Sequence, residues 1–552
     1  MPFLNWIKII GILCFLLRSG VLWTQELPKI LSHKSVIEQN YLPDFSYAGY
    51  HFGEKKLPHA VENIVLAEKH GIIPNDGLDD SKALLLLMDS LNEIAGKVIL
   101  QLPKGRIILS SILYIKRSHF ILRGYGTSDQ GTEIYCPRPL MYVPPPPPLA
   151  ELREYLQVEK KRQRERKNNI DLPYSPFSWA GGFIWTHIPD ERIKPYLEKY
   201  DRKEVALAKV LEGEIGEHTI KIDDARNVQL GDVLELQVFN AEGKDGLLIK
   251  ELYRNASVKV GEAHWKFPNR PIVRQQIKVV AINNNTITVK APLSISIKPN
   301  YQAQLTRWKH LKEVGLEHFK ITFPTAPYIA HHIEMGFNGI FLTRLFNSWV
   351  NDVIIENADS GVLTEEIANV TISNIITKGA NKAHYSVALG SVHNVLVKNL
   401  KIYNNVLHPL SFNTLSTKSV YQQCEVFKNP ILDQHSGANH QNLFDNISVY
   451  ISPKNNHSYA LFKGGGASYW KPTAGPYNTF WNIKIHLSHL SEFNQPLLLY
   501  GMKDGTHARI IGVNGDLPLK IEYGPDPYIE KINESMKEVP SLYDYQLTNR
   551  LN

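Results

Sequence analysis

Asn347-Ser-Trp-Val-Asn-Asp-Val-Ile354 is followed by Asn369-Val-Thr-Ile-Ser-Asn-Ile-Ile376 and by Asn394-Val-Leu-Val-Lys-Asn-Leu-Lys401. The phrase returns, weakened, as Ser419-Val-Tyr-Gln-Gln-Cys-Glu-Val426. It returns again as Asn442-Leu-Phe-Asp-Asn-Ile-Ser-Val449 and as Asn478-Thr-Phe-Trp-Asn-Ile-Lys-Ile485. The copies start 22, 25, 25, 23 and 36 residues apart. A short alternating strand repeated at that period, with no helical pattern between copies, predicts coils stacked in a parallel β-solenoid. Asparagine suits such a corner: it tolerates the left-handed conformation and can hydrogen-bond to the same position one coil away. An ordinary β-sandwich is the alternative, and six copies in register argue against it.

Working outward, Gly71-Ile-Ile-Pro-Asn-Asp-Gly-Leu-Asp-Asp80 leads into an apolar-periodic helix over 81–95, with the Asp79/Asp80 pair as its cap. Short strands broken by Pro103-Lys-Gly105 follow, so this segment predicts the capped start of the solenoid, covering an end that would otherwise pair with other chains. Asn75-Asp-Gly-Leu-Asp-Asp80, Leu102-Pro-Lys-Gly105 and Ile121-Leu-Arg-Gly-Tyr-Gly126 together resemble the opening of the pectate-lyase and polygalacturonase-like right-handed parallel β-helix proteins. Phe337-Asn-Gly-Ile340, Asn347-Ser-Trp-Val350, Asn357-Ala-Asp-Ser-Gly361 and Gln434-His-Ser-Gly-Ala-Asn-His-Gln-Asn-Leu-Phe444 are similar to a poorly characterised secreted bacterial branch of that superfamily. The resemblance covers roughly 70–140 and 315–490. It implies an all-β, right-handed parallel β-helix and leaves the chemistry open, because the superfamily includes lyases, hydrolases and phage tailspikes.

The remaining chain divides by composition. Lys8 and the apolar run Ile9–Leu17 predict a signal peptide over 1–24, the run being too short for a membrane span of roughly 20 residues. A leader follows over 25–70, then the capped start over 71–140. Residues 141–204 form a Pro-rich and basic insertion, with five prolines from Pro144 to Pro148 read as a solvated spacer and Glu159–Lys167 as an exposed basic helix. Residues 205–314 read as an inserted small β subdomain, 315–515 as the coils and 516–552 as a C-terminal tail. A secreted, periplasmic or cell-surface location is expected, as is a monomer with no membrane span after signal cleavage. Three cysteines make no disulfide framework or Cys-based metal site. Net charge is +7 over 552 residues, which suits an acidic ligand and falls short of a nucleic-acid-binding signature.

Aligned on the leading residue of each coil, His384, His408 and His435 fall at offsets 15, 14 and 16. They predict a histidine column up one face, with Tyr385 and His440 nearby, and a ladder stacked only for packing is the alternative. From Ala380 to Lys471 the acids are Glu425, Asp433 and Asp445, against eight lysines and six histidines. A hydrolase normally uses two facing carboxylates. Here Asp433 would have to pair with an acid such as Glu365 or Glu366. A uronate lyase needs a proton-abstracting base and positive charge beside the substrate carboxylate, and this stretch is richer in those parts. The expected catalytic residues are therefore His435, His440, Tyr385, His408, Asp433 and His384. Lys463, Lys382, Trp470 and Tyr469 are expected to bind substrate, with Lys463–Trp470 projecting as a loop. His331-His-Ile-Glu334 lies just before the first clear coil and is expected to be structural, with lining of the same groove as the alternative.

The spacing of His435, His440 and Asp433 makes a weak zinc motif, so neither a metal nor another cofactor is expected, and nothing in the sequence supports calcium. The expected function is cleavage of an acidic, uronate-containing polysaccharide by β-elimination. A glycoside hydrolase on the same scaffold and a non-catalytic carbohydrate-binding solenoid are the rivals.

Overall fold

The computed structural model describes residues 27–552 apart from 33–40, 145, 163–173, 195–196, 198–203, 241, 255–256, 267–269, 454–456 and 489–494. The signal segment and most of the basic stretch lie outside those residues. The repeated phrases form parallel strands that pair coil to coil. Leu345–Glu356 pairs with Ala368–Lys378, and that strand pairs with Leu396–Ile402, register Trp349↔Thr371↔Leu396. The ladder continues through Val420–Gln422, Leu443–Asp445 and Thr479–Leu487. A second parallel sheet of eight strands runs up another side. The chain is a parallel β-helix, the fold that the resemblance implies. Its interior is a continuous column of Val, Ile, Leu and Phe, including Val362, Val387, Leu410 and Leu432 at 0% exposure. Among the described residues no helix is long and apolar enough to cross a membrane.

The asparagines do what their chemistry allows. Asn347, Asn369 and Asn394 sit at corners with φ of 45°, 52° and 54°. A second row, Asn374, Asn399, Asn446 and Asn482, has φ between 53° and 55°. There the side chains bond across coils, Asn399 Nδ2 to Asn374 Oδ1 at 3.1 Å and Asn482 Nδ2 to Asn446 Oδ1 at 3.2 Å. Left-handed backbone is costly for most L-residues, and the amide side chain compensates locally.

Some local expectations need correction. The capping helix spans Ser81–Leu91, and Asp80 turns away from it, accepting from Ile73 N and Ile108 N. Asp79 accepts from Ser81 N at 2.9 Å. The proline run is not a spacer to its end. Its last two prolines open the helix Pro147–Arg162, where proline's missing N–H costs nothing. Leu149, Leu152 and Leu156 on that helix are buried in the main core.

Residues 206–307 contain a closed, antiparallel six-stranded barrel inserted between coils. Its apolar core takes in Leu415 and Ala438 from the coils. Glu366, at a coil corner, is clamped by three guanidiniums: Arg192 at 2.9 Å, Arg344 at 2.7 Å and Arg274 of the barrel at 3.0 Å. Burial would raise the Glu366 pKa, but these cations outweigh it and keep the carboxyl below its ordinary value. Removing one member of a buried cluster strands the others. Glu366→Ala is therefore expected to lower unfolding free energy by about 3–5 kcal/mol, read by urea denaturation. A change within about 0.5 kcal/mol, as for an ordinary surface position, would show that the clamp contributes nothing.

Candidate active site

The candidate site is built on the eight-stranded sheet. Ala383–Gly390 pairs with Val406–Phe412, which pairs with Leu432–His435, which in turn pairs with Gly464–Gly465. Tyr385 stands opposite His408, and Ser411 opposite Asp433. The three predicted histidines therefore step diagonally across the strands instead of forming one register column. Their rings still touch in sequence: His384 to His408 at 5.4 Å between centroids, His408 to His435 at 4.8 Å.

Asp433 is the hub. It is 0% exposed, and its Oδ2 meets His408 Nδ1 at 3.2 Å and His435 Nδ1 at 3.4 Å, both at ion-pair distance and out of line for a hydrogen bond. Ser411 Oγ donates to the same oxygen and accepts from Asn413 Nδ2 at 3.0 Å. Burial would raise the Asp433 pKa, but the His408 and His435 imidazoles outweigh it and hold the carboxyl well below the usual carboxylate range. Burial lowers the His435 pKa from its ordinary value, against the pull of Asp433. An ionised aspartate beside Nδ1 calls for the Nδ1–H tautomer, which leaves Nε2 as a base. The His435 side chain keeps 17% exposure. Gly465, the next coil's residue opposite His435, lies so close that a Cβ there would overlap the ring.

A second group abuts the first. His331 Nε2 lies 3.2 Å from His384 Nε2, and His384 Nδ1 lies 3.3 Å from Glu334 Oε1. Glu334 is 5% exposed and also accepts from Ser178 Oγ and from His332 N. His332 packs between Trp179 at 4.6 Å and Tyr174 at 4.9 Å, both half-buried. The segment 331–334, expected to be structural, thus lines the site. The sequence signal was the His-His pair itself, but its loop lies outside the repeat, so no coil offset could place it. Trp179 and Tyr174 carried no signal, because they belong to the insertion.

The other predicted residues are scattered. Tyr385 is 2% exposed, stacked on His384 at 4.2 Å, and burial raises its pKa well above the ordinary value. It packs beneath the histidines. His440 lies on a different column, Ala368–His393–Thr417–His440, at 1% exposure, with Gln441 Nε2 on its Nδ1 at 3.1 Å. Exposed Lys463 stands on the coil beside Asp433, its carbonyl accepting from Gln434 N. Lys382 is turned over the Tyr328 ring at 4.4 Å. The Lys463–Trp470 stretch does not project freely. Gly437 N donates to the Trp470 carbonyl at 2.9 Å, and His264 of the insertion packs on the Trp470 ring at 6.0 Å. Tyr469 and Trp470 are half-buried. A separate concavity of about 540 Å³ on the other sheet is lined by Asn374, Asn399, Lys401, Asn446 and neighbours, and holds no comparable cluster of perturbed histidines.

No protein-family model matches the sequence, and no curated protein matches it. Solved structures similar to it include the tailspike protein gp49 from Pseudomonas phage LKA1, at 12% identity and TM-score 0.46, covering 85% of this chain and 80% of that one. A DFA-IIIase from Arthrobacter chlorophenolicus A6 in complex with DFA-III matches at 10% identity and TM-score 0.38, over 85% of this chain and 94% of that one. The Yersinia enterocolitica family 28 exopolygalacturonase matches at 11% and 0.32, over 86% and 79%. These are similarities of overall shape, and the functional reading rests on the side chains above.

Proposed function

We propose that the histidine-lined face is the active site of an extracellular or surface-located carbohydrate-active enzyme that cleaves an acidic, uronate-containing polysaccharide by β-elimination. The observation that carries the reading is the division of labour at Asp433. The carboxylates of the site, Asp433 and Glu334, are buried and turned onto imidazoles. They are poorly placed to act as the facing acid and base of a hydrolase. His435, oriented by Asp433 and partly exposed, is placed to act as a base instead. Its Nε2 takes the proton α to the uronate carboxylate. The electron pair forms the new carbon–carbon double bond, the bond to the glycosidic oxygen breaks, and that oxygen takes a proton from water. Lys463 supplies positive charge beside the substrate carboxylate, where the enolate-like charge develops. Trp179 and Tyr174 offer half-buried rings against which a sugar can stack.

The test is a panel of pectin, alginate, glucuronan, ulvan, fucoidan and glycosaminoglycans, following unsaturated-uronate absorbance together with reducing ends. Both signals rising on one substrate is the expected result. Reducing ends without absorbance would overturn elimination in favour of hydrolysis. Silence on every substrate would overturn the enzyme reading in favour of a binding solenoid.

A further inference from the structure

We propose that His331, His384 and His408 form a binding site for a divalent transition-metal ion of the zinc type, with Glu334 and Asp433 orienting two of the ligands. One candidate ligand atom from each histidine lies within 4.8 Å of the others. The 3.2 Å between His331 Nε2 and His384 Nε2 is close to the edge of a tetrahedral zinc site, about 3.3 Å for Zn–N bonds of about 2.05 Å.

Counting protons separates a metal site from a plain histidine cluster. Glu334 beside His384 Nδ1 and Asp433 beside His408 Nδ1 each call for a proton on that nitrogen. Both rings then present an Nε2 lone pair, and His331 has at most one Nε2 proton to share between them. A cation satisfies both lone pairs and His331 at once. A buried carboxylate behind a ligating imidazole is the usual outer partner of a metal-bound histidine, fixing its tautomer and raising its basicity. Three imidazoles suit zinc, copper, nickel or iron in preference to magnesium or calcium. They leave a fourth position open, as catalytic zinc sites do. The sequence hides this set because its members come from a loop and two different coils, with none of the short spacings of a metal motif.

The metal site does not depend on polysaccharide cleavage, and its test does not use activity. The full chain, stripped with chelator, is titrated with zinc chloride by calorimetry and with cobalt(II) by its visible ligand-field bands. The expected result is one ion per chain, with cobalt bands of a low-coordinate nitrogen site. His331→Ala, at an exposed position and so compatible with folding, should abolish this stoichiometric binding. Glu334→Gln should weaken it about 10–100-fold while keeping one ion per chain. His435→Ala should leave it intact. No saturable binding by the wild-type chain would overturn the proposal. So would loss of binding in His435→Ala with His331→Ala unaffected, because the ion would then sit on His408, Asp433 and His435.

Discussion

His435→Ala is expected to lower kcat/KM on the cleaved polysaccharide by about 10²–10⁴-fold, the usual contribution of a positioned general base. Denaturant unfolding should change little, because the ring is partly exposed and its polar partner Asp433 keeps His408 and Ser411. Asp433→Asn provides the contrast. It retains the shape and removes the charge that sets the His435 tautomer, so activity should fall while the substrate KM moves little. The rival account is a histidine ladder stacked for packing. It predicts the reverse for His435→Ala: full activity, with unfolding free energy lower by roughly 1–3 kcal/mol. Measuring both quantities on one preparation decides between them.

Steep loss of stability in mild acid is the second large expectation, and it rests on histidines outside the site. Burial is the first cause of the low pKa at His187 and His264, each about 4, and at His393 and His440, each about 3. The Lys418 ammonium lowers the last two further. Between those values and the ordinary 6.5 the unfolded chain binds protons that the folded chain does not, so stability rises with pH across that window. Buried carboxyls act in the opposite sense, Asp445 and Glu235 more strongly than Asp359 and Glu365. Burial raises Asp445 to about 7 and Glu235 to about 8, so the folded chain holds two extra protons over much of the same range. The four histidines outweigh the two carboxyls by about two protons near pH 5. That corresponds to a slope of about 3 kcal/mol per pH unit. Above about pH 7 the carboxyls outweigh the remaining histidine contribution and that of Lys418, which burial lowers to about 8, and stability should decline slightly toward pH 8. Urea denaturation at constant ionic strength from pH 4.5 to 8 should show this maximum near neutrality. His440→Gln should reduce the acid slope by one proton. A flat profile below pH 6.5 would mean that these histidines are protonated in the folded chain.

Much of the fold was legible because a solenoid writes its period into the sequence. Each coil repeats the same alternation, and each corner demands a residue that tolerates positive φ, which is why Asn347, Asn369 and Asn394 mark the register so plainly. The insertion was legible as a small β unit but not as a barrel. Nothing in 205–314 foretold a closed barrel, since closure depends on pairing between strands as far apart as Ala206–Gly213 and Gln302–Arg307. The site was half legible. His384, His408 and His435 came from coil offsets and Asp433 from the scarcity of acids around them, whereas His440, close to them in sequence, belongs to another column.

From the chain alone came the β-helix, its coil boundaries and the richness of one stretch in histidine and lysine. All of these are local or periodic, so neighbouring residues carry the information. The folded molecule alone decided which side chains meet. His331 and Glu334 come from a loop before the repeat, and Trp179 from an insertion more than 200 residues from His384 in sequence. They converge because coil stacking and the docked insertion hold them there. Contacts of that kind are set by the packing of distant segments, and no spacing within one segment records them.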